Sequence, residues 1–301
     1  MIAYLKNSEI NKKEWDECIE TAGNGIIYGY SLYLDAMSRN WDALVLDNYK
    51  AVMPLTWNRK YGICYLYQPF FSASLGIFGN DLTGEIVFSF LNAIPDKFQY
   101  WDIYLNRGNV FPIKTFPLYL RNNYILDLSD NYQNIYARFS VNHKRNIKRA
   151  KQLGCTIKNN IPIKEVVGLA KEQSKDFSNA SRKDFSNFTE LYSNLEIQKK
   201  ATTYGVYNKA GELVSSSAFF FSHGRAYYIM VGNHPDGRMG ASHLMIDQFI
   251  RDHAKEKLIL DFEGSEIPDL ARFYKSFGSI EEKYSAIKLN RLPRVVKLFK
   301  K

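Results

Sequence analysis

Residues 204–262 read YGVYNKAGELVSSSAFFFSHGRAYYIMVGNHPDGRMGASHLMIDQFIRDHAKEKLILDF, and this stretch decides the fold. A strand-like run at 204–207 meets a turn at Asn208-Lys209-Ala210-Gly211, the apolar run LVSSSAFFF follows, and a second turn at Ser222-His223-Gly224 leads into AYYIMVG. Two hairpins in succession make an antiparallel meander. The glycine-bearing loop GNHPDGRMGAS then opens a segment in which Leu244, Met245, Gln248, Phe249 and Asp252 fall at helical spacing with the apolar members on one side. The short apolar strand LILDF closes the unit.

Working outward, the first half repeats this order. ALVLD, a turn at Asn48-Tyr49-Lys50, AVMPLTW, a turn at Asn58-Arg59-Lys60 and YGICYLY form a second meander. The loop SLGIFGND, the helix-like EIVFSFLNAI and the strand WDIYL follow it, so that Asp102 and Asp261 occupy equivalent places. In each copy the helix must lay its apolar face on the sheet, because nothing else is near enough to cover it. The expectation is an α/β (α+β) chain of two tandem domains, each a mixed, largely antiparallel sheet flanked by helices.

Helical patterns precede each meander: KKEWDECIETAG and YSLYLDAM in the first half, NYQNIYARFSVNHKRNIKRAKQLG and KEVVGLAKEQSKDF in the second. Gly154 suits the end of the long basic helix, since glycine readily takes the left-handed stop conformation. Pro112, Pro117 and Asn122-Asn123 interrupt the pattern and place a hinge near 112–124. The domains read as 1–120 and 121–288, followed by a basic tail at 289–301, and 301 residues is a length at which chains tend to split into two cores.

With 46% hydrophobic and 24% charged residues, the composition is that of a folded globular protein. No run approaches the roughly 18 uncharged residues of a membrane span, and MIAYLKNSEINKKEW lacks a secretory apolar core, so a cytoplasmic location is expected. Cys18, Cys64 and Cys155 are scattered and odd in number, which suits buried thiols and neither a disulfide framework nor a metal knuckle. The five histidines form no ligand spacing, and no metal is expected. No G-x-S-x-G elbow supports a serine nucleophile. A net charge of +9 favours an anionic partner.

A helix that starts just after a glycine turn offers free N–H groups and a partial positive charge to phosphate oxygens. Gly237, Arg238, Met239, Gly240, Ala241 and Ser242 fit that description, as does a plain capped turn. The loop resembles the acyl-CoA pyrophosphate site of the GNAT superfamily, R/Q-x-x-G-x-G/A, but aligned on Gly240 it has Gly237 where Arg or Gln is usual. Three segments in order, FSVNHKRNIKRAKQLG, LDFEGS and ARFYKSFG, resemble the Fem family of aminoacyltransferases and its acetyltransferase relatives. The resemblance covers about residues 125–290 and reaches the first half only in general plan. It implies two GNAT-like domains, with the donor loop in the second.

On the basic helix, Lys144, Lys148 and Lys151 share a face with Arg145 and Arg149 beside it, a stripe suited to tRNA or nucleotide phosphates or simply to solvent. Asp261 and Glu263 alternate along one strand, so their carboxylates should share a face, where either could serve as general base. The alternative is a turn at Glu263-Gly264-Ser265-Glu266. The resemblance places a substrate-facing lysine at Lys275 and makes Tyr274 a candidate proton donor; a core-packing turn is the plainer reading.

The implied function is N-acyl transfer from an acyl-CoA (acetyl-CoA-like) donor to an amine acceptor. The alternatives are aminoacyl-tRNA-dependent transfer of the Fem type onto a cell-wall or nucleotide-linked precursor, and a non-catalytic GNAT-fold module that binds an anionic polymer. The tail RLPRVVKLFKK either touches an anionic membrane surface or packs back on the first domain, and the resemblance favours packing.

Overall fold

The computed structural model describes residues 1–110, 116–175, 179–235, 240–264 and 266–292. The chain forms two compact units, one of residues 1–121 with 283–301 and the other of residues 122–282.

In the first unit, β1 (Ile2–Leu5), α1 (Lys12–Thr21) and α2 (Ser31–Met37) precede the meander β2 (Asn40–Leu46), β3 (Ala51–Lys60) and β4 (Ile63–Tyr67). The two-residue β5 (Phe78–Gly79), α3 (Gly84–Asn92) and β6 (Phe98–Tyr104) complete the order read from the sequence. One turn moves: β3 pairs through Lys60, and the reversal falls at Tyr61 and Gly62, both at positive φ. Strand order is β1-β2-β3-β4-β6 followed by β13 (Ile280–Asn290), and β4 with β6 is a parallel pair in an otherwise antiparallel array. The helix α3 buries Val87, Phe90 and Leu91 against Leu44, Leu55, Leu66 and Trp101.

In the second unit, β7 (Leu118–Asp127) runs into α4 (Tyr132–Ala137) and α5 (Val141–Gln152). The single long helix expected over 131–154 is broken at Ser140, whose hydroxyl accepts from the His143 N–H and so caps α5. Then come β8 (Thr156–Asn159), α6 (Ile163–Gln173), α7 (Arg182–Ile197), the meander β9 (Ala201–Tyr207), β10 (Leu213–Ser222) and β11 (Arg225–Asn233), α8 (Ala241–Asp252), β12 (Ile259–Asp261), α9 (Pro268–Lys275) and β13 (Ile280–Asn290). Strand order is β7-β12-β11-β10-β9-β8, with β11 and β12 the parallel pair. The helix α8 lays Leu244, Met245 and Phe249 on the sheet, and Phe249 stacks on Phe219 at 3.9 Å between ring centroids. Burying each such side chain contributes roughly 1.5–3 kcal/mol.

Both units therefore share one plan, a mixed sheet with one parallel pair beside the helix that follows the meander, as the sequence repeat implied. The hinge expected near 112–124 is instead strand from Leu118 onward, and residues 111–115 lie outside those described. Asn123 sits in that strand because its amide is buried and bonded to Asp261, so an asparagine that reads as a turn former is a structural donor. β13 was not read from the sequence: it begins in the second unit and carries the chain back to the first, where Ala286–Asn290 pair with β6. Residues 293–301, most of the basic tail, lie outside those described.

Candidate functional site

The parallel ladder of β11 and β12 ends at Tyr227 opposite Asp261, yet β11 continues to Asn233. Along the other edge of β11 the register with β10 slips between Ala218 and Phe219, which pair with Met230 and Tyr228 and leave Ile229 as an extra residue. A bulge of this kind bends and twists the strand that carries it. Past Tyr227 β11 has no β12 partner, and the chain leaves β12 through Phe262 and Glu263. On the opposite side of β11, Gly232 lets α6 press close, since a Cβ there would stand 2.5 Å from the Ala170 nitrogen.

Asp261 is buried and fully engaged. It pairs with Arg225 at 2.8 Å, accepts from the Asn123 amide at 2.9 Å and accepts from the Glu263 N–H at 2.9 Å. Arg225, equally buried, adds a bond to Glu282 at 2.7 Å. Burial works against the guanidinium's charge, but the bonds to Glu282 and Asp261 outweigh it and hold the charge firmly. This arrangement anchors the end of β12 and commits both oxygens of Asp261 to structural partners.

Glu263 does not continue the alternation expected of a strand. β12 stops at Asp261, and Glu263 takes φ 63° in an aspartate-anchored turn, so the two carboxylates do not share a strand face. Its Oε1 is closed off from solvent and has no hydrogen-bond partner. Burial raises its pKa well above the usual carboxylate value. A non-glycine residue held at positive φ with an unsatisfied buried oxygen is the kind of local cost that proteins keep where chemistry needs it.

Tyr274 of α9 is the neighbour of this carboxyl. Its ring stacks on Phe262 at 4.6 Å and meets Tyr124 at 6.1 Å and Tyr228 edge-on at 6.5 Å. Burial, and then the charge of Glu263, push its phenol pKa up, so it stays a proton donor throughout the neutral range. Glu263 is near enough for its charge to act on the Tyr274 phenol, and among the described residues no hydrogen bond joins them. Lys275, one residue on, pairs with Glu281 at 3.3 Å and lies 5.3 Å from the centre of the Tyr124 ring that also meets Tyr274. Its bond to Glu281 raises its pKa, so it is a firm cation. Tyr228 and Tyr124 were not singled out in the sequence; Tyr228 had only its place in the strand before the glycine loop, and Tyr124 fell at the end of the stretch that reads as a hinge.

The start of α8 is the other candidate surface. Gly237, Arg238 and Met239 lie outside the described residues. Gly240 caps the helix at φ 95° without a side-chain bond, and no described group accepts from the N–H of Ala241, Ser242 or His243. Those amides suit an anionic group. Ala241 is buried, and Ser242 bonds to Asn233 and lies 3.3 Å from the Ser215 hydroxyl. One side of this helix start is occupied by α5, where the Asn146 carbonyl faces Gly240 and the Asn146 amide lies 3.2 Å from His243 Nε2.

Beside it, His143 and His243 meet edge to face at 4.4 Å, packed by Phe273 and Phe277. His143 Nε2 donates to the Phe273 carbonyl at 3.0 Å, which leaves its buried Nδ1 an acceptor with no partner. Burial lowers both rings' pKa values, to about 4 for His143 and about 3 for His243, with His143 adding to the effect on His243. Arg145, Lys148 and Arg149 are exposed on α5, and Arg145 reaches only Asn142, at 2.7 Å. Lys144 and Lys151 turn inward instead, to the Ala137 carbonyl at 3.0 Å and to Asp247 at 3.7 Å. Among the described residues no group of three or more His, Cys, Asp or Glu is placed to hold a metal ion, and no helix is long and apolar enough to cross a membrane.

Two units of this topology, each with its parallel pair beside the post-meander helix, define a tandem GNAT-like fold of the Fem type. The solved structures it resembles include FemX, at TM-score 0.65 and 14% identity over 97% of this chain and 98% of that one. L-PGS from Bacillus licheniformis matches at 0.58 and 12% identity over 95% and 94% of the two chains. A tandem GNAT protein from the clavulanic acid biosynthesis pathway matches at 0.54 and 10% over 97% and 99%. No protein-family profile matches the sequence, and no curated protein does.

Proposed function

We propose that this chain is an N-acyltransferase whose chemistry lies where β11 and β12 part, with Glu263 as base and Tyr274 as acid. The observation that supports the reading is a carboxyl with one buried, unpartnered oxygen whose charge reaches a buried phenol, just beyond the end of the β11–β12 ladder. In the step proposed, the acceptor amine attacks the acyl carbonyl carbon, Glu263 takes the proton that the nitrogen sheds, and Tyr274 gives its proton to the departing sulfur or oxygen. A carboxyl whose pKa is raised by burial is a stronger base once ionised, and positioned acid–base groups contribute about 10²–10⁴ in rate. The edge of β11 beyond Tyr227, which β12 leaves unpaired, offers backbone partners to an extended amide-bearing donor arm.

Acyl-CoA is the proposed donor, its phosphates held at the free N–H groups of Ala241, Ser242 and His243, with Gly237, Arg238, Met239 and Gly240 completing the loop. A second donor, aminoacyl-tRNA, draws support from Arg145, Lys148 and Arg149, which stand exposed on the helix that packs against Gly240. Lys275 is proposed to offset charge on the substrate, and the acceptor is a small-molecule or precursor amine.

Calorimetric titration separates the donors. Acetyl-CoA binding that survives changing Arg145, Lys148 and Arg149 together to Gln supports the thioester. Salt-sensitive tRNA binding that this triple change abolishes, with no acetyl-CoA binding, assigns the tRNA ester, because each lost phosphate contact lowers the salt slope by about 0.7–0.9. Binding of tRNA with no transfer to any amine would leave a non-catalytic binding module.

A further inference from the structure

The first unit contains a cavity of about 600 Å³ that the proposed chemistry does not use. It lies between the end of α2, the beginning of β2, Trp57 of β3 and Lys97 just ahead of β6. Its volume falls within the roughly 300–1,000 Å³ typical of small-molecule sites.

The lining has an uneven hydrogen-bonding balance. Both acids in it are already satisfied: Asp42 accepts from Tyr4 and from the Asn7 N–H at 3.2 Å with Lys97 at 3.6 Å, and Asp35 holds Lys12 at 2.6 Å and the Trp41 indole at 2.9 Å. The donors are not. The Trp57 indole N–H and the Ser38 hydroxyl are both buried without a partner, and among the described residues Lys6 and Arg39 form no ion pair. An unpaired buried donor costs about 1–3 kcal/mol, so two in one cavity wall call for an acceptor. Lys97 donates to the Tyr4 hydroxyl, pairs with Asp42 and is held among three aromatic faces, with its Nζ 4.7 Å from the Tyr4, 5.6 Å from the Trp57 and 4.8 Å from the Phe98 ring centres, so its charge borders the cavity in a fixed place.

The second unit supplies an internal control. A cavity of about 770 Å³ occupies the equivalent place there, between the end of α7, the start of β9, Phe221 of β10 and the end of α8. Its walls carry Glu196, Asp252 and Glu256 against one lysine, Lys199, and His253, which is paired with Glu256. The fold therefore makes a hollow at this position in both units, while the surplus of donors and cations belongs to the first alone.

The geometry points to a binding site in the first unit for a small molecule bearing an oxyanion, a carboxylate or a phosphate, received by the Trp57 indole and Ser38 hydroxyl inside and by Arg39, Lys6 and Lys97 around it. Arg39 presents the planar fork that suits either group.

Tryptophan-indole NMR on the full ¹⁵N-labelled chain tests this directly. The four tryptophans give four indole signals, and Trp57→Phe identifies one of them. Titration with inorganic phosphate, and separately with malonate, is expected to shift the Trp57 signal saturably at constant ionic strength in at least one arm, and the arm that responds names the group. Arg39→Gln, at an exposed residue that does not endanger folding, is expected to weaken that response at least tenfold. Lys50→Gln, an exposed lysine outside the cavity, should leave it unchanged. A Trp57 signal that moves no more in either arm than in sodium chloride overturns the proposal, as does a response of equal midpoint in Arg39→Gln.

Discussion

The Cβ that Gly240 lacks would stand 2.4 Å from the carbonyl oxygen of Asn146. That contact makes Gly240 a packing residue between α5 and α8 as well as the opening of a helix. Any side chain there must push α5 away and also adopt φ 95°. Gly240→Ala is therefore expected to destabilise the second unit by about 2–4 kcal/mol, the sum of left-handed strain and overpacking. A denaturation midpoint unchanged from wild type would show that α5 does not rest on this position. Loss of donor binding in a Gly240 variant is to be interpreted only beside that measurement.

Asp261 and Glu263 are two residues apart and should respond in opposite ways. Asp261→Asn leaves the buried Arg225 with a single carboxylate, Glu282, and removing one partner of a buried pair typically costs about 3–5 kcal/mol. The expected outcome is a large fall in melting temperature. An Asp261→Asn protein as stable as wild type but inactive would reverse the assignment and make Asp261 the base.

Glu263→Gln should behave otherwise. Turnover is expected to drop about 10²–10⁴-fold with donor affinity retained. In the wild type the rate should climb with pH through the raised pKa of this carboxyl, and the variant should lose that limb. The stability sign follows from the same shift. A carboxyl whose folded pKa lies above its unfolded one is comfortable when protonated, and its contribution fades as pH rises past the ordinary carboxylate value near 4.3. Relative to wild type, Glu263→Gln should thus gain stability as pH rises above the ordinary carboxylate value. Full activity in Glu263→Gln rules out the base.

How far these residues could be read in advance depends on what kind of signal each carries. The meanders, α3 and α8 were legible because period-2 and period-3.6 patterns with glycine turns record burial directly. Strand β13 was not, since IEEKYSAIKLN mixes exposed charge with a few buried positions such as Tyr284, Ala286 and Ile287 and shows neither pattern cleanly. β7 was hidden by Asn122-Asn123, whose local preference is for turns, while the buried bond from Asn123 to Asp261 joins residues far apart in sequence. The proximity of Glu263 to Tyr274 was visible only as a motif order. Their chemical difference from Asp261 and Lys275 depends on Arg225 and Glu281, which no spacing rule links to them.

The edge-to-face pair His143 and His243 sets an acid limit on the second unit. Both rings sit neutral among Phe273, Phe277 and the Asn146 amide, and their pKa values are lowered by burial to about 4 and about 3. In the unfolded chain each would take a proton near pH 6.5. Between that value and the folded ones the unfolded state binds more protons, so stability is complete above about pH 6.5 and declines as pH falls, by up to about 1.4 kcal/mol per unit for each ring. His143→Phe keeps the aromatic packing and gives up the bond to the Phe273 carbonyl, so it should lower stability at pH 7.5 yet flatten the decline from pH 6.5 to 5. That window lies above the range in which ordinary carboxylates protonate, so the flattening reports the histidines. Urea midpoints measured across it decide the matter: parallel slopes for wild type and His143→Phe would mean that the rings are already solvated and that the α5–α8 contact is looser than their 4.4 Å approach implies.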